Sequence, residues 1–233
     1  MDAEADIAAV AALIANPARA KMLDALFDGE AHSAGSLAAH GDVTAGTASS
    51  HIDALVAGGL IVEERSGRQR LLRLAGPDVA HALEALSLVA PATKAPPTRG
   101  PDRSTNLRAG RTCYDHLAGA LGVALTDALV TRGALELAGR DYELSETGAT
   151  ELSALGVDVD RARSSRRAFA RACLDWSERR PHLAGALGAA LADRLFALGW
   201  LIRLPGARTV KVTAIGKREL TDRFEPRYSR PPW

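Results

Sequence analysis

VTAGTASSHIDALVAGGLI, residues 43–61, is the stretch whose reading decides the fold. Thr44 is a good helix N-cap, because its hydroxyl can accept from a free backbone N–H one turn in. Ala48, Ile52, Leu55 and Val56 then fall at helical spacing and give one apolar face. The other face carries Ala45, Gly46, Thr47, Ser49 and Ser50, small or hydroxylated residues that let the backbone approach another surface closely. Gly58-Gly59 stops the helix. Beyond it, Leu60–Arg65 and Arg68–Leu74 read as two strands joined by Ser66-Gly67, with Arg65, Arg68 and Arg70 near the tip.

Helix, stop and arginine-tipped hairpin is the layout of a winged helix, which lays its second helix in the major groove of DNA. The upstream residues complete it. Residues 6–15 form a short apolar helix, and Asn16-Pro17 places an N-cap before a proline at the first helical position. Residues 18–27 form an amphipathic helix burying Met22, Leu23, Leu26 and Phe27, ended by Asp28-Gly29-Glu30. Ser33 or Ser36 caps a short third helix, and His40-Gly41-Asp42 is the turn before residue 43. Residues 6–74 thus make four helices and a wing.

From residue 16 to 62 the chain resembles the ArsR-type winged-helix repressors, through Asn16-Pro17-Ala18-Arg19, Thr44-Ala45-Gly46-Thr47-Ala48-Ser49-Ser50-His51-Ile52 and Gly58-Gly59-Leu60-Ile61-Val62. The resemblance covers roughly residues 6–90. It implies a homodimer bound to double-stranded operator DNA, usually an inverted repeat. It also implies that a helix after the wing, residues 77–88 with Val79, Leu83 and Leu86 buried, helps to pair the subunits. The metal-sensing members carry a Cys-x-Cys pair on the helix before the turn. Residues 33–39 have none, and Asp78 and His81 are too few for the family's other site, so its known metal sites do not carry over.

The totals agree in part. The chain has 233 residues, 47% hydrophobic, enough for a packed core. It shows no membrane-spanning apolar run and no basic, apolar secretion signal, so a cytoplasmic location is expected. Two cysteines, Cys113 and Cys173, are too few for a disulfide framework. Net charge is +1, yet residues 1–90 hold 6 Lys+Arg against 12 Asp+Glu, leaving 23 against 16 for residues 91–233. An acidic first half opposes strong non-specific DNA affinity.

Four prolines in residues 90–105 mark a linker between a domain at 1–89 and a region at 106–233. That region repeats itself: residues 111–152 and 171–220 share Arg-x-Cys-x-Asp (Arg111, Cys113, Asp115; Arg171, Cys173, Asp175) and His-Leu-Ala-Gly-Ala-Leu-Gly (116–122; 182–188). They also share Asp-x-Leu-x-x-x-Gly, at Asp127, Leu129, Gly133 and at Asp193, Leu195, Gly199. The same piece ends the opening helix as Asp53, Leu55 and Gly59, so all three read as helix, glycine stop, hairpin. The expected fold is therefore mainly α with small β-hairpins (α+β): a winged helix-turn-helix domain, then two degenerate winged-helix-like repeats.

The expected DNA contacts are Thr44, Ala45, Gly46, Thr47, Ser49, Ser50 and His51 on the helix, with Arg65, Arg68 and Arg70 on the wing. The bland alternative is a solvated helix and an ordinary soluble hairpin. Cys113 and Cys173 admit three readings. They are equivalent core positions, with Cys113 and Leu117 sharing a helical face; a thiol pair sensing oxidants or electrophiles; or a soft-metal site completed by His116 or His182. Tyr114 and Trp176 extend the candidate effector site, and Phe169, Phe196 and Trp200 either line an apolar pocket or form core. The arginines at 161, 163, 166, 167 and 171 suggest an anion contact or a solvated face.

No phosphate-binding glycine loop, nucleophile elbow or zinc-protease helix is present, so neither an enzyme nor a bound cofactor is expected. The sequence points to a DNA-binding regulator, with residues 106–233 receiving a small-molecule signal or holding the dimer. Its rivals are a thiol- or metal-responsive switch and a protein-interaction module that has kept the fold without binding DNA.

Overall fold

The computed structural model describes residues 5–66, 69–91, 103–204 and 207–224, with the side chains of 66, 69 and 103–105 outside the description. The chain divides into two compact units, Met1–Leu83 and Glu84–Trp233.

In the first unit, α1 (Ile7–Ile14) is capped by Asp6, whose carboxylate accepts from Ala9 N at 2.9 Å. The Asn16 side chain accepts from Ala18 N and Arg19 N at 3.0 and 3.1 Å to start α2 (Pro17–Ala25). A tight turn over Leu26–Asp28 follows, ended by Gly29 in the left-handed region. Ser33 caps α3 (Ala34–Gly41), and Thr44 caps α4 (Ala45–Ala57). Met22, Leu23, Leu26, Phe27, Leu37, Ala48, Ile52 and Leu55 are buried together with Ile61 and Leu72 of the wing. Val56 is only half-buried, because it lies at the edge of the apolar stripe.

The wing strands are β2 (Ile61–Ser66) and β3 (Gln69–Leu74), one residue later than expected on the first arm. The cause is the helix stop. Gly59 N–H donates to Val56 O and Leu60 N–H to Leu55 O, both at 3.0 Å, so Leu60 closes the helix instead of opening the strand. Ser66 pairs with Gln69 and is not part of the turn; Gly67 and Arg68 lie outside the described residues. A two-residue strand the sequence reading missed, β1 (His32–Ser33), adds to β3 and makes the sheet β1-β3-β2. The helix after the wing, α5 (Pro77–Val89), buries Ala80, Leu83 and Glu84. Leu86 is exposed and Val79 only half-buried, against expectation, because both lie off the Ala80–Leu83–Glu84 face.

The second unit opens with α6 (Arg103–Ala109). Its first repeat is β4 (Arg111–Cys113), β5 (His116–Ala118), α7 (Gly119–Thr131), β6 (Leu135–Ala138), β7 (Asp141–Leu144) and α8 (Glu146–Leu155). After α9 (Val159–Arg163) the second repeat gives β8 (Arg171–Leu174), β9 (Pro181–Ala184), α10 (Gly185–Ala197), β10 (Leu201–Arg203), β11 (Val210–Val212) and α11 (Ala214–Phe224). Both glycine stops have the architecture found at Gly59: Ala134 N donates to Leu129 O and Trp200 N to Leu195 O.

Each repeat therefore begins with a hairpin where a winged helix would have a helix. Cys113 and Leu117 do not share a helical face. They lie on opposite arms of the β4–β5 hairpin, with Cys113 paired to His116 and Thr112 to Leu117. The hairpins are exchanged: β7 of the first repeat joins β8 of the second, giving the sheet β6-β7-β8-β9. In the mirror-image contact Val210 N donates to Gly110 O and Thr112 N to Arg208 O, matching Tyr142 N to Ala170 O and Ala172 N to Arg140 O. One core holds both repeats, built from Leu121, Leu125, Leu129, Leu187, Leu191, Leu195 and Trp200 among others.

Candidate functional site

The first candidate surface is the start of α4 with the wing beside it. Thr44, Ala45, Gly46, Thr47, Ser49 and Ser50 are exposed, and His51 is half-buried. Thr44 Oγ1 accepts from Thr47 N at 3.3 Å and lies 3.0 Å from Thr47 Oγ1. Nothing stands within 4 Å of a Cβ added at Gly46, so this turn offers bare backbone to an approaching surface. No acid occurs from residue 43 to 52. The first is Asp53, and it is engaged: Arg70 Nη2 donates to Asp53 Oδ1 at 2.8 Å and Arg70 Nε to Glu63 Oε2 at 2.7 Å. Arg70 therefore braces the wing against α4, and the Asp53 bond is the main reason its guanidinium is held above its ordinary pKa. Arg65 projects from β2 with 86% of its side chain exposed, only 3.7 Å from Glu63 Oε1. Arg73 pairs with Glu64. The acids that made the first half look unsuited to DNA are thus partly spent within the wing.

The second candidate is a buried cluster in the Glu84–Trp233 unit. Cys113 ends β4, His116 opens β5, Cys173 lies on β8 and His182 on β9. Exchange of the hairpins brings the four together, with one ligand-type atom from each side chain within 4.8 Å of all the others. Cys113, His116 and His182 are buried and Cys173 is half-buried. The imidazole centroids are 5.2 Å apart. Each ring turns Nδ1 toward the aspartate of its own repeat: His116 lies 3.4 Å from Asp115 Oδ1, and His182 lies 3.3 Å from Asp175 Oδ2, the latter off hydrogen-bond alignment. Both Nε2 atoms are buried without a hydrogen-bond partner among the described residues.

The cluster's surroundings are charged and ordered. Asp175 Oδ2 accepts from Gly119 N at 2.7 Å and Arg111 Nη2 at 2.9 Å, and Oδ1 accepts from Ser177. Burial alone would raise the Asp175 carboxyl, but His182, Arg111, Ser177 and Gly119 hold it well below the usual carboxylate range. His182 is raised: burial lowers it, but Asp175 and Cys113 together outweigh that. The Cys113 thiol is pushed up to about 12, first by its hydrogen bond to Cys173 and then by burial, and the same bond lowers Cys173. Glu84 faces Cys113 Sγ at 3.3 Å and is itself held by Arg208 at 2.6 Å.

Tyr114 and Trp176, expected in the same site, stand apart from it. Tyr114 is exposed at the β4–β5 turn, and Trp176 lies under Arg111 and Arg108, 4.9 and 5.0 Å from their guanidinium carbons. The other aromatics do not converge on one pocket: Trp200 is core, Phe169 lies under Arg163 and Phe196 under Arg203. Arg167 of the basic run pairs with Asp115. Glu84, Arg111 and Arg208 were missed as neighbours of the cluster; the repeated Arg-x-Cys-x-Asp was the one signal that pointed to Arg111.

This surface and layout are those of a winged helix-turn-helix domain. A helix-turn-helix domain family model matches residues 14–64. A protein of Bacillus subtilis (strain 168) described as the uncharacterized HTH-type transcriptional regulator YdfF is 41% identical over 212 residues, spanning 91% of this chain and 94% of its own. The chain belongs to this family of helix-turn-helix transcriptional regulators. Among solved structures, it is similar to the homodimeric winged helix-turn-helix DNA-binding domain of Mb0332 from Mycobacterium bovis, a possible ArsR-family regulator. The identity there is 29%, over 38% of this chain and 89% of that one, with a TM-score of 0.33. It is also similar to the cadmium metal-sensor CMTR from Mycobacterium tuberculosis, at 34% identity over 42% of this chain and all of that one, TM-score 0.32. Among the described residues no helix is long and apolar enough to cross a membrane.

Proposed function

We propose that the protein is a homodimeric repressor. It binds an inverted-repeat operator through the first two turns of α4 and the wing, and takes its signal through the Glu84–Trp233 unit. The observation that carries the reading is the exposed, acid-free face from Thr44 to Ser50 beside a wing whose acids are already paired. Thr44, Thr47, Ser49 and Ser50 hydroxyls and the free N–H groups of the α4 start suit phosphate and base-edge contacts. Arg65 supplies a mobile charge for the backbone or minor groove.

Pairing of subunits has support in exposed apolar residues on two helices, Ile7 and Val10 on α1 and Leu86 and Val89 on α5. An effector changes operator occupancy only as far as it binds the free and DNA-bound forms unequally.

Fluorescence anisotropy with genomic fragments, repeated across salt concentrations, tests the reading. Selective binding that Ser50→Ala and Arg65→Ala both weaken is the expected result. Absence of sequence-selective binding at low salt overturns it and leaves the protein-interaction module. Unchanged affinity in both variants would move the interface off α4 and the wing.

A further inference from the structure

We propose that Cys113, His116, Cys173 and His182 form a four-ligand site for a thiophilic divalent metal, zinc in the first instance, at the junction of the two repeats.

The donor set is the first reason. Two thiols and two imidazoles lie with their ligand atoms within 4.8 Å of one another. Tetrahedral zinc holds sulfur at about 2.3 Å and nitrogen at about 2.0–2.1 Å, which places ligand atoms roughly 3.3–3.8 Å apart. The longest edge need contract by only about 1 Å to reach that geometry. Side-chain rotation within two short hairpins can supply it.

The imidazoles are the second reason. A disulfide between the cysteines would explain the thiols and leave the histidines unaccounted for. Both Nε2 atoms are buried with no hydrogen-bond partner among the described residues, and both Nδ1 atoms lie 3.3–3.4 Å from a carboxylate. Carboxylate on one nitrogen with the other nitrogen free is how ligating histidines are oriented. His116 makes this hydrogen bond to Asp115, and at the equivalent position of the second repeat His182 faces Asp175 at 3.3 Å without hydrogen-bond alignment.

Charge is the third. On coordination each thiol loses its proton to solvent, and two thiolates with two neutral imidazoles around a dication sum to zero. A neutral complex suits a buried place in a way that free thiolates do not. The neighbouring Glu84 is offset by Arg208, 2.6 Å away, and by Arg111 at 3.6 Å. Cys173, half-buried, gives the metal its way in. Four protein ligands leave no open position, so the site clamps the repeats together and is not a catalytic one.

The site does not depend on DNA recognition, so its test stands apart from that of the operator. The reduced, chelator-treated full chain is titrated with cobalt(II). One equivalent per chain should bring up the visible bands of tetrahedral cobalt and the near-ultraviolet thiolate charge transfer, both erased by zinc. Cys173→Ser and His116→Gln should each weaken cobalt binding by about 100-fold or more, and Asp115→Asn by about 10- to 100-fold. Circular dichroism confirms that these variants keep their fold, and zinc should raise the melting temperature of the unsubstituted chain but not of Cys173→Ser. Absence of thiolate charge transfer in the reduced chain overturns the proposal. So does charge transfer unchanged in Cys173→Ser, or a Cys113–Cys173 disulfide that persists in reductant.

Discussion

At the scale of single residues, glycine does three separate jobs in this chain. Gly119 and Gly185 sit at φ +74° and +76°, and an added Cβ would come within 2.5 Å of the Arg108 and Ala168 carbonyls. Gly185→Ala combines left-handed backbone strain with that clash, so it should destabilise the second unit by more than about 1 kcal/mol in urea unfolding. Gly122 and Gly188 lie first against the Leu117 and Leu183 carbonyl oxygens of their own repeats, 2.4 and 2.5 Å from an added Cβ, and beyond them against the histidine of the opposite repeat, 3.7 Å from His182 Cβ and 3.3 Å from His116 Cβ. The shared His-Leu-Ala-Gly-Ala-Leu-Gly string encodes this reciprocity, visible in the sequence as a repeat but not as a reason. Gly46 is different, since a Cβ there meets nothing. Gly46→Ala should raise stability by up to about 1 kcal/mol while weakening operator binding, because the gain in helix propensity comes with a methyl group on the DNA-facing surface. Paired denaturation and anisotropy measurements separate the two effects.

At the scale of elements, helices and their stops were easier to read than strands. Asn16-Pro17, Thr44 and the three Asp-x-Leu-x-x-x-Gly endings act through local hydrogen bonds, so the residues nearby in sequence suffice to define them. The β4–β5 and β8–β9 hairpins were missed because their arms are only three or four residues long and none alternates between buried and exposed: β4, β5 and β9 are largely buried and β8 is largely open. Exchange of hairpins between repeats has no local signature at all. The DNA face was legible as a pattern of small and hydroxylated residues, but Arg70 was read as a free contact when it is bound to Asp53 and Glu63. Its charge being already matched, Arg70→Ala should lower operator affinity by loosening the wing while leaving the salt dependence almost unchanged. Arg65→Ala should reduce the slope of log affinity against log salt by about one. Thermal stability should change by less than about 1 kcal/mol in Arg70→Ala, since both pairs are partly open to solvent.

At the scale of the whole molecule, the two compact units have separate cores, and the buried cluster centred on Leu121, Leu187 and Leu195 draws only on residues after 116. Leu187→Ala, at a fully buried position, should cost about 2–5 kcal/mol in the second unit. Protease cleavage followed by mass spectrometry should show residues 103–224 opening first and the winged helix persisting. The cysteines illustrate the limit of reading a chain in one dimension. Cys113 and Cys173 are sixty residues apart, each beside a histidine reached across its own hairpin, and only the exchange of strands makes a group of four.

That exchange has a genealogical consequence. A lone ancestral repeat would have had an unpaired hairpin edge and half of the thiol–imidazole cluster, and could have completed both by meeting a second copy of itself. The present second unit has the layout of such a pair, joined end to end by residues 156–170. Within one chain such an encounter has no concentration dependence, and the halves differ in detail: Arg111 is buried beside Asp175, while its counterpart Arg171 is exposed.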